Sequence, residues 1–186
     1  SKLGVTFNIE NGFVIGKVSK GLVGNKISLP FPSVGATENI LMASVVAKGE
    51  TLIERAAKEP EIIDLGNCLI SMGAKIEGLG KDKIYIQGVQ CLSKAKHKII
   101  SDRIVAGTFI ILAVMLNNDI EINNINTDHL ISLIKVLKDM GANLNVSTNS
   151  IKILKSKKLN GINVKTAPYP GFPTDLQAQM MVLLCK

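Results

Sequence analysis

Three short segments put chemistry-bearing side chains where the pattern predicts helix starts. Near the end of the chain, Pro170-Gly171-Phe172-Pro173-Thr174-Asp175-Leu176-Gln177-Ala178-Gln179 reads as a Gly/Pro loop opening a helix. Thr174 and Gln177 have capping-box spacing. Asp175 falls in the first turn, where the positive end of the helix dipole favours a charged carboxylate. Such a group accepts a proton or holds a hydroxyl, although an acid in a first turn also has a purely structural explanation. Phe31-Pro32-Ser33-Val34-Gly35-Ala36-Thr37 is the second segment. Its small-residue turn would aim free N–H groups at a phosphate, with Gly35 allowing close approach of backbone to ligand. On pattern alone a Ser-capped, tightly packed helix start is the favoured account, since the full phosphate-loop signature is missing. The third, Ser101-Asp102-Arg103, pairs an acid with a base, or is simply a capped helix beside a surface arginine. Glu59-Pro60-Glu61 likewise places acids where a helix dipole would accept them. His97 and His129 are isolated and carry no assigned role.

The elements around these segments repeat. From Ser33 the pattern predicts a helix over Val34–Lys48, stopped at Gly49, and a strand over Thr51–Glu54. A helix from Pro60 to Met72 stopped by Gly73 follows. A hairpin then joins Lys75–Glu77 to Ile84–Ile86 through Gly80-Lys81-Asp82. From Ser101 the order recurs: helix Arg103–Leu116, strand Ile120–Asn123, helix Asp128–Met140 stopped by Gly141, then a hairpin of Asn143–Val146 and Ser150–Leu154. Met72-Gly73-Ala74 answers Met140-Gly141-Ala142 at an offset of about 70 residues, longer than common solenoid periods. Val5–Ile9 and Phe13–Ile15 read as the closing hairpin of an earlier copy. Lys26–Leu29, Lys98–Ile100 and Ile162–Thr166 read as strands leading into successive copies. Helices alternating with strands and hairpins define an α/β class with mixed sheets.

Composition narrows the function classes. The chain has 186 residues, 46% of them hydrophobic and only 4% aromatic, so Ile, Leu, Val and Ala must build the core. The longest apolar run, Ile104–Leu116, is too short to span a bilayer. No signal peptide is visible at Ser1-Lys2-Leu3-Gly4. A soluble, cytoplasmic protein is expected, and the apolar run stopping at Lys186 suggests a piece of a larger one. The net charge of +7 gathers in connectors: Lys17, Lys20, Lys26; Lys94, Lys96, Lys98; Lys155, Lys157, Lys158, Lys165. These lack the aromatic platform of single-strand binders and read as solvated faces. Cys68, Cys91 and Cys185 have no metal-ligand spacing, and Cys68 sits in an apolar helical pattern as a buried, inert thiol. No metal or cofactor is implied.

Taken together, Phe31-Pro-Ser-Val-Gly-Ala-Thr-Glu-Asn, Ala57-Lys-Glu-Pro-Glu-Ile-Ile-Asp, Asp102-Arg-Ile-Val-Ala-Gly-Thr and Pro170-Gly-Phe-Pro-Thr-Asp-Leu-Gln-Ala-Gln resemble the UDP-N-acetylglucosamine 1-carboxyvinyltransferases. The resemblance runs along essentially the whole chain. It implies an enolpyruvyl-transferase fold, an inside-out α/β barrel of two domains, each of three βαβαββ units, with the site in the cleft between them. Residues 1–100 would end the first domain and residues 101–186 would begin the second. The implied reaction transfers the enolpyruvyl group of phosphoenolpyruvate to the 3-hydroxyl of UDP-N-acetylglucosamine in peptidoglycan synthesis. By motif, Asp175 matches the aspartate that contacts that hydroxyl and takes its proton. Ser33, Val34 and Gly35 match the loop holding the uridine diphosphate, with Thr174 beside the substrate and Glu61, Asp102 and Arg103 near the cleft. Phe31 departs from the Lys of some members, and Tyr169 from a frequent His. The family's mobile-loop Cys, its Lys-Asn pair and its Arg-Pro-Val-Asp segment would precede residue 1, and further arginines would follow residue 186. The polypeptide alone is therefore expected to be inactive. Two other readings compete: the shikimate-pathway enolpyruvyl transferase, and a basic nucleic-acid-binding α/β module.

Overall fold

The computed structural model describes residues 2–186, which divide into two compact units, one running to Ile99 and the other spanning Ile100–Lys186. The first unit opens with an antiparallel hairpin, β1 (Thr6–Glu10) and β2 (Phe13–Lys17). Next come β3 (Lys26–Ser28), α1 (Val34–Ser44), β4 (Glu50–Glu54), α2 (Pro60–Ser71), β5 (Lys75–Glu77) and β6 (Lys83–Gln87). Its main sheet has the order β3-β4-β6-β5; β3 runs parallel to β4, and the other pairs are antiparallel. Period-2 alternation sends Ile53, Ile84 and Ile86 inward against Leu41 of α1 and Ile62 of α2, all at 2% exposure or less. Burial of such side chains stabilises by roughly 1.5–3 kcal/mol each.

The second unit repeats the order with α3 (Arg103–Leu116), β7 (Ile120–Asn123), a 3-10 turn (Thr127–Leu130) running into α4 (Ile131–Asp139), β8 (Asn143–Val146) and β9 (Ser150–Leu154). Its sheet is β7-β9-β8, antiparallel throughout. A second 3-10 turn (Thr174–Leu176) leads into α5 (Gln177–Leu184). Ile110 of α3, Leu133 and Leu137 of α4, Ile151 and Ile153 of β9, and Leu176 form its fully buried centre.

The two copies share their helix stops bond for bond. After α2, Gly73 (φ +100°) donates to Ile70 O and Ala74 to Leu69 O; after α4, Gly141 (φ +94°) donates to Lys138 O and Ala142 to Leu137 O. This paired 5→2 and 6→1 pattern needs a left-handed residue, which glycine adopts without steric cost.

Several sequence expectations need correction. The first helix ends at Ser44, four residues early, because Val45 O accepts from Val89 N–H and Lys48 exchanges backbone bonds with Leu22 and Gly24. Lys98–Ile100 and Ile162–Thr166 are not ladder strands. β7 has no parallel neighbour among the described residues, and residues 162–166 make only the isolated Thr166–Phe172 bridge. The capping box at Thr174 does not form. Pro173 occupies the cap position and its carbonyl accepts from Leu176 N–H (3.2 Å), so Thr174 lies one residue inside the turn. Cys68 is half-buried rather than buried. Finally, Arg103 is not a surface residue: it is 8% exposed.

Candidate functional site

In the first unit the turns before α1 and α2 are laced together. Ser33 has extended backbone and its Oγ accepts from Ala36 N–H at 3.4 Å. Thr37 Oγ1 donates to Ser33 O (2.8 Å) and accepts from Ala57 N–H (3.1 Å), with the Thr37 side chain fully buried. Arg55 (φ +56°) reaches back to donate to Pro30 O (3.1 Å) and Ser28 Oγ (3.3 Å). One hydroxyl and one guanidinium thus hold residues 28–37 against residues 55–57.

The two helix starts differ electrostatically. α1 has no acidic residue in its first turn, whereas α2 starts with Pro60 and carries Glu61 there. The positive end of α1 is therefore uncompensated by its own sequence, which suits an anion. Val34 is half-buried and Gly35 is exposed. A Cβ built on Gly35 meets nothing within 4 Å. Packing within this chain therefore does not require a glycine there, and the space is open to a ligand. Phe31, 64% exposed, stands beside this turn. At the start of α2, Glu59 is 9% exposed, and one of its carboxylate oxygens is buried without a hydrogen-bond partner.

In the second unit Asp102, not Ser101, caps α3. Its Oδ1 accepts from Ile104 N–H (2.8 Å) and Val105 N–H (3.0 Å), while Ser101 Oγ accepts from Asn126 N–H (3.3 Å). Arg103 lies over the Tyr169 ring, 5.6 Å from its centroid. Tyr169 belongs to a closed loop in which Ala167 N–H donates to Phe172 O (2.9 Å) and Gly171 N–H to Pro168 O (2.8 Å). The Tyr169–Pro170 bond is cis. This loop delivers Thr174 and Asp175, both exposed, between the buried anchors Phe172 and Leu176. Asp175 thus presents a carboxylate to solvent from a backbone fixed on both sides. Ser33–Gly35 and the turn into Glu61 gather in one unit; Asp102, Arg103 and the Asp175 loop gather in the other.

Sequence reasoning missed two features. His97 Nε2 lies 2.9 Å from Asp64 Oδ1, with both side chains mostly buried. Glu59 is more buried than Glu61. The 33-residue separation of the first pair leaves no local signal; the capping position of Glu59 was visible, but not its burial. The connector lysines named above are all exposed. No group of three or more His, Cys, Asp or Glu able to hold a metal gathers among the described residues, and no helix among them is long and apolar enough to cross a membrane.

The fold has clear counterparts. The crystal structure of the enolpyruvyl transferase NikO from Streptomyces tendae superposes with a TM-score of 0.87 at 23% identity, covering 98% of this chain and 46% of that one. EPSP synthase from Acinetobacter baumannii gives 0.62 at 24%, covering 98% and 41%. The architecture is therefore that of an enolpyruvyl transferase. Residues 1–185 match the family described as EPSP synthase (3-phosphoshikimate 1-carboxyvinyltransferase), and the chain belongs to that family. Within it, the chain is 50% identical over 182 residues to the UDP-N-acetylglucosamine 1-carboxyvinyltransferase of Halothermothrix orenii. It is 45% identical over 183 residues to that of Geotalea uraniireducens, and 47% over 182 to enzyme 1 of Staphylococcus aureus. Each match takes in 98% of the chain but only 43–44% of the relative, so the chain spans less than half their length.

Proposed function

We propose that this chain is part of a UDP-N-acetylglucosamine 1-carboxyvinyltransferase acting in peptidoglycan synthesis. The observation that carries the reading is the 45–50% identity, sustained over 98% of the chain, to relatives bearing that name. In this reading residues 1–100 end one domain and residues 101–186 begin the next. The substrates are phosphoenolpyruvate and UDP-N-acetylglucosamine, and the setting is the cytoplasm.

The roles follow from the local chemistry. The start of α1, with Ser33 as cap and Val34 and Gly35 in the first turn, receives the diphosphate; its uncompensated dipole and the open space at Gly35 support this. Asp175 takes the proton of the sugar 3-hydroxyl as that oxygen bonds to the enolpyruvyl carbon and phosphate leaves. Its exposed carboxylate on an anchored turn supports the role, and general bases contribute roughly 10²- to 10⁴-fold. Thr174 lines the same approach. Glu61, Asp102 and Arg103 support these elements within their own units, Asp102 through its cap and Arg103 through its contact with Tyr169.

The parent protein tests this directly. Asp175→Asn should lower kcat by roughly 10²- to 10⁴-fold while KM for the UDP-sugar changes little. Undiminished phosphate release would refute the assignment. Heat-stabilisation by shikimate-3-phosphate but not by UDP-N-acetylglucosamine would select the shikimate-pathway alternative instead. The 186-residue polypeptide alone should release no phosphate.

A further inference from the structure

The loop before Asp175 is held at its base and at its tip. At the base, Thr166 and Phe172 form an isolated bridge, Ala167 N–H donates to Phe172 O, and Phe172 is only 4% exposed. At the tip, the Tyr169 ring faces the Arg103 guanidinium. Arg103 is the first residue of α3, whose start is fixed by the Asp102 carboxylate. Further along the same helix, Gly107 packs against Leu176, and Thr108 Oγ1 accepts from Gln179 Nε2 at 2.9 Å. One helix therefore grips the chain on both sides of Asp175: ahead of it through Tyr169, behind it through Leu176 and Gln179.

We propose that Arg103 and Tyr169 are a positioning pair that fixes the Asp175 loop on α3 through contact of the guanidinium with the ring. The inference rests on the proton-accepting role given above to Asp175. A cation over an aromatic face gains most where both are withdrawn from water, and Arg103 is 8% exposed.

The test compares Tyr169→Leu with Tyr169→Phe in the parent protein, because phenylalanine keeps the ring and leucine keeps only bulk. Misplacing a reacting group costs up to about 10²-fold in rate. Tyr169→Leu should therefore lose roughly tenfold in kcat, with KM for the UDP-sugar held within about twofold. Tyr169→Phe should retain wild-type kcat. Hydrogen exchange of the peptide covering residues 166–173 supplies a readout independent of activity: exchange should speed up in Tyr169→Leu and not in Tyr169→Phe. Wild-type exchange in Tyr169→Leu overturns the proposal, and so does a Tyr169→Phe variant as impaired as Tyr169→Leu. A parent protein that fails to turn over UDP-N-acetylglucosamine refutes the functional reading alone, and exchange then decides the pairing by itself.

Discussion

Gly107 lies where α3 meets the turn carrying Asp175. A methyl group built on it falls 2.6 Å from Leu176 Cδ1, 3.2 Å from Leu176 Cδ2 and 3.2 Å from Leu133 Cδ2. Carbon atoms prefer about 3.5–4.0 Å, so the closest contact is short by about 1 Å. Both leucines are 1% exposed, so their terminal methyl groups must shift within a buried core to admit the new group. Two effects compete in Gly107→Ala. Helix propensity favours alanine by about 1 kcal/mol, while overpacking a filled core costs about 1–3 kcal/mol. Packing should win, giving a net destabilisation of about 1 kcal/mol. Urea unfolding of the 186-residue chain reads this as a lower midpoint with an unchanged slope. Leu176→Ala removes the obstacle, so it should cost about 1 kcal/mol less in the Gly107→Ala background than in the wild type. Because Leu176 adjoins Asp175, the parent protein carrying Gly107→Ala should also lose roughly tenfold in kcat. A raised midpoint would refute the packing argument, leaving propensity as the stronger effect.

Gly35→Ala should behave in the opposite way: stability unchanged or raised by up to about 1 kcal/mol, since its Cβ meets nothing. In the parent protein the same change should raise KM for the UDP-sugar, and an unaltered KM would show that the ligand does not approach there. Thr37→Val removes a buried hydroxyl that donates to Ser33 O and accepts from Ala57 N–H. Ser33 O keeps its bond from Thr37 N–H, but stranding Ala57 N–H should cost about 1–3 kcal/mol in chemical denaturation. Hydrogen bonding from Lys26 above all, and then the charges of Lys26 and Lys83, hold the Glu54 carboxyl below its ordinary value. The unfolded chain therefore takes up this proton first on acidification. The contribution of Glu54 is present at neutral pH and is lost as pH falls from the ordinary carboxylate range through the depressed folded value. Melting profiles of Glu54→Gln should show a shallower acid decline than the wild type.

Much of the fold is legible in the chain because its determinants are short-range. Arg103–Leu116, Ile120–Asn123, Asn143–Val146 and Ser150–Leu154 form over the ranges their periodicity predicts. Gly73 and Gly141 stop their helices through bonds that span only a few residues. The helix starts at Ser33 and Asp102 are likewise read from cap chemistry. Where a distant segment competes for the same backbone, the local reading gives way. Val89 and Leu22 draw residues 45–48 out of the helical pattern. Thr127 Oγ1 bonds to Ser147 O and Thr148 O, next to a 3-10 start for a helix read as continuous from Asp128.

The sequence by itself determined the repeated α/β order, the helix stops and the turns on which Ser33, Gly35, Asp102 and Asp175 stand. Each depends on residues a few positions apart, whose periodicity, caps and backbone preferences operate before any tertiary contact forms. Only the tertiary structure decided what surrounds those residues. It buried Arg103 against a tyrosine 66 positions away, closed Asp64 on His97, left one oxygen of Glu59 without a partner and set Gly107 against Leu176 beside Asp175. Burial and contact belong to pairs of elements, and no single segment carries that information.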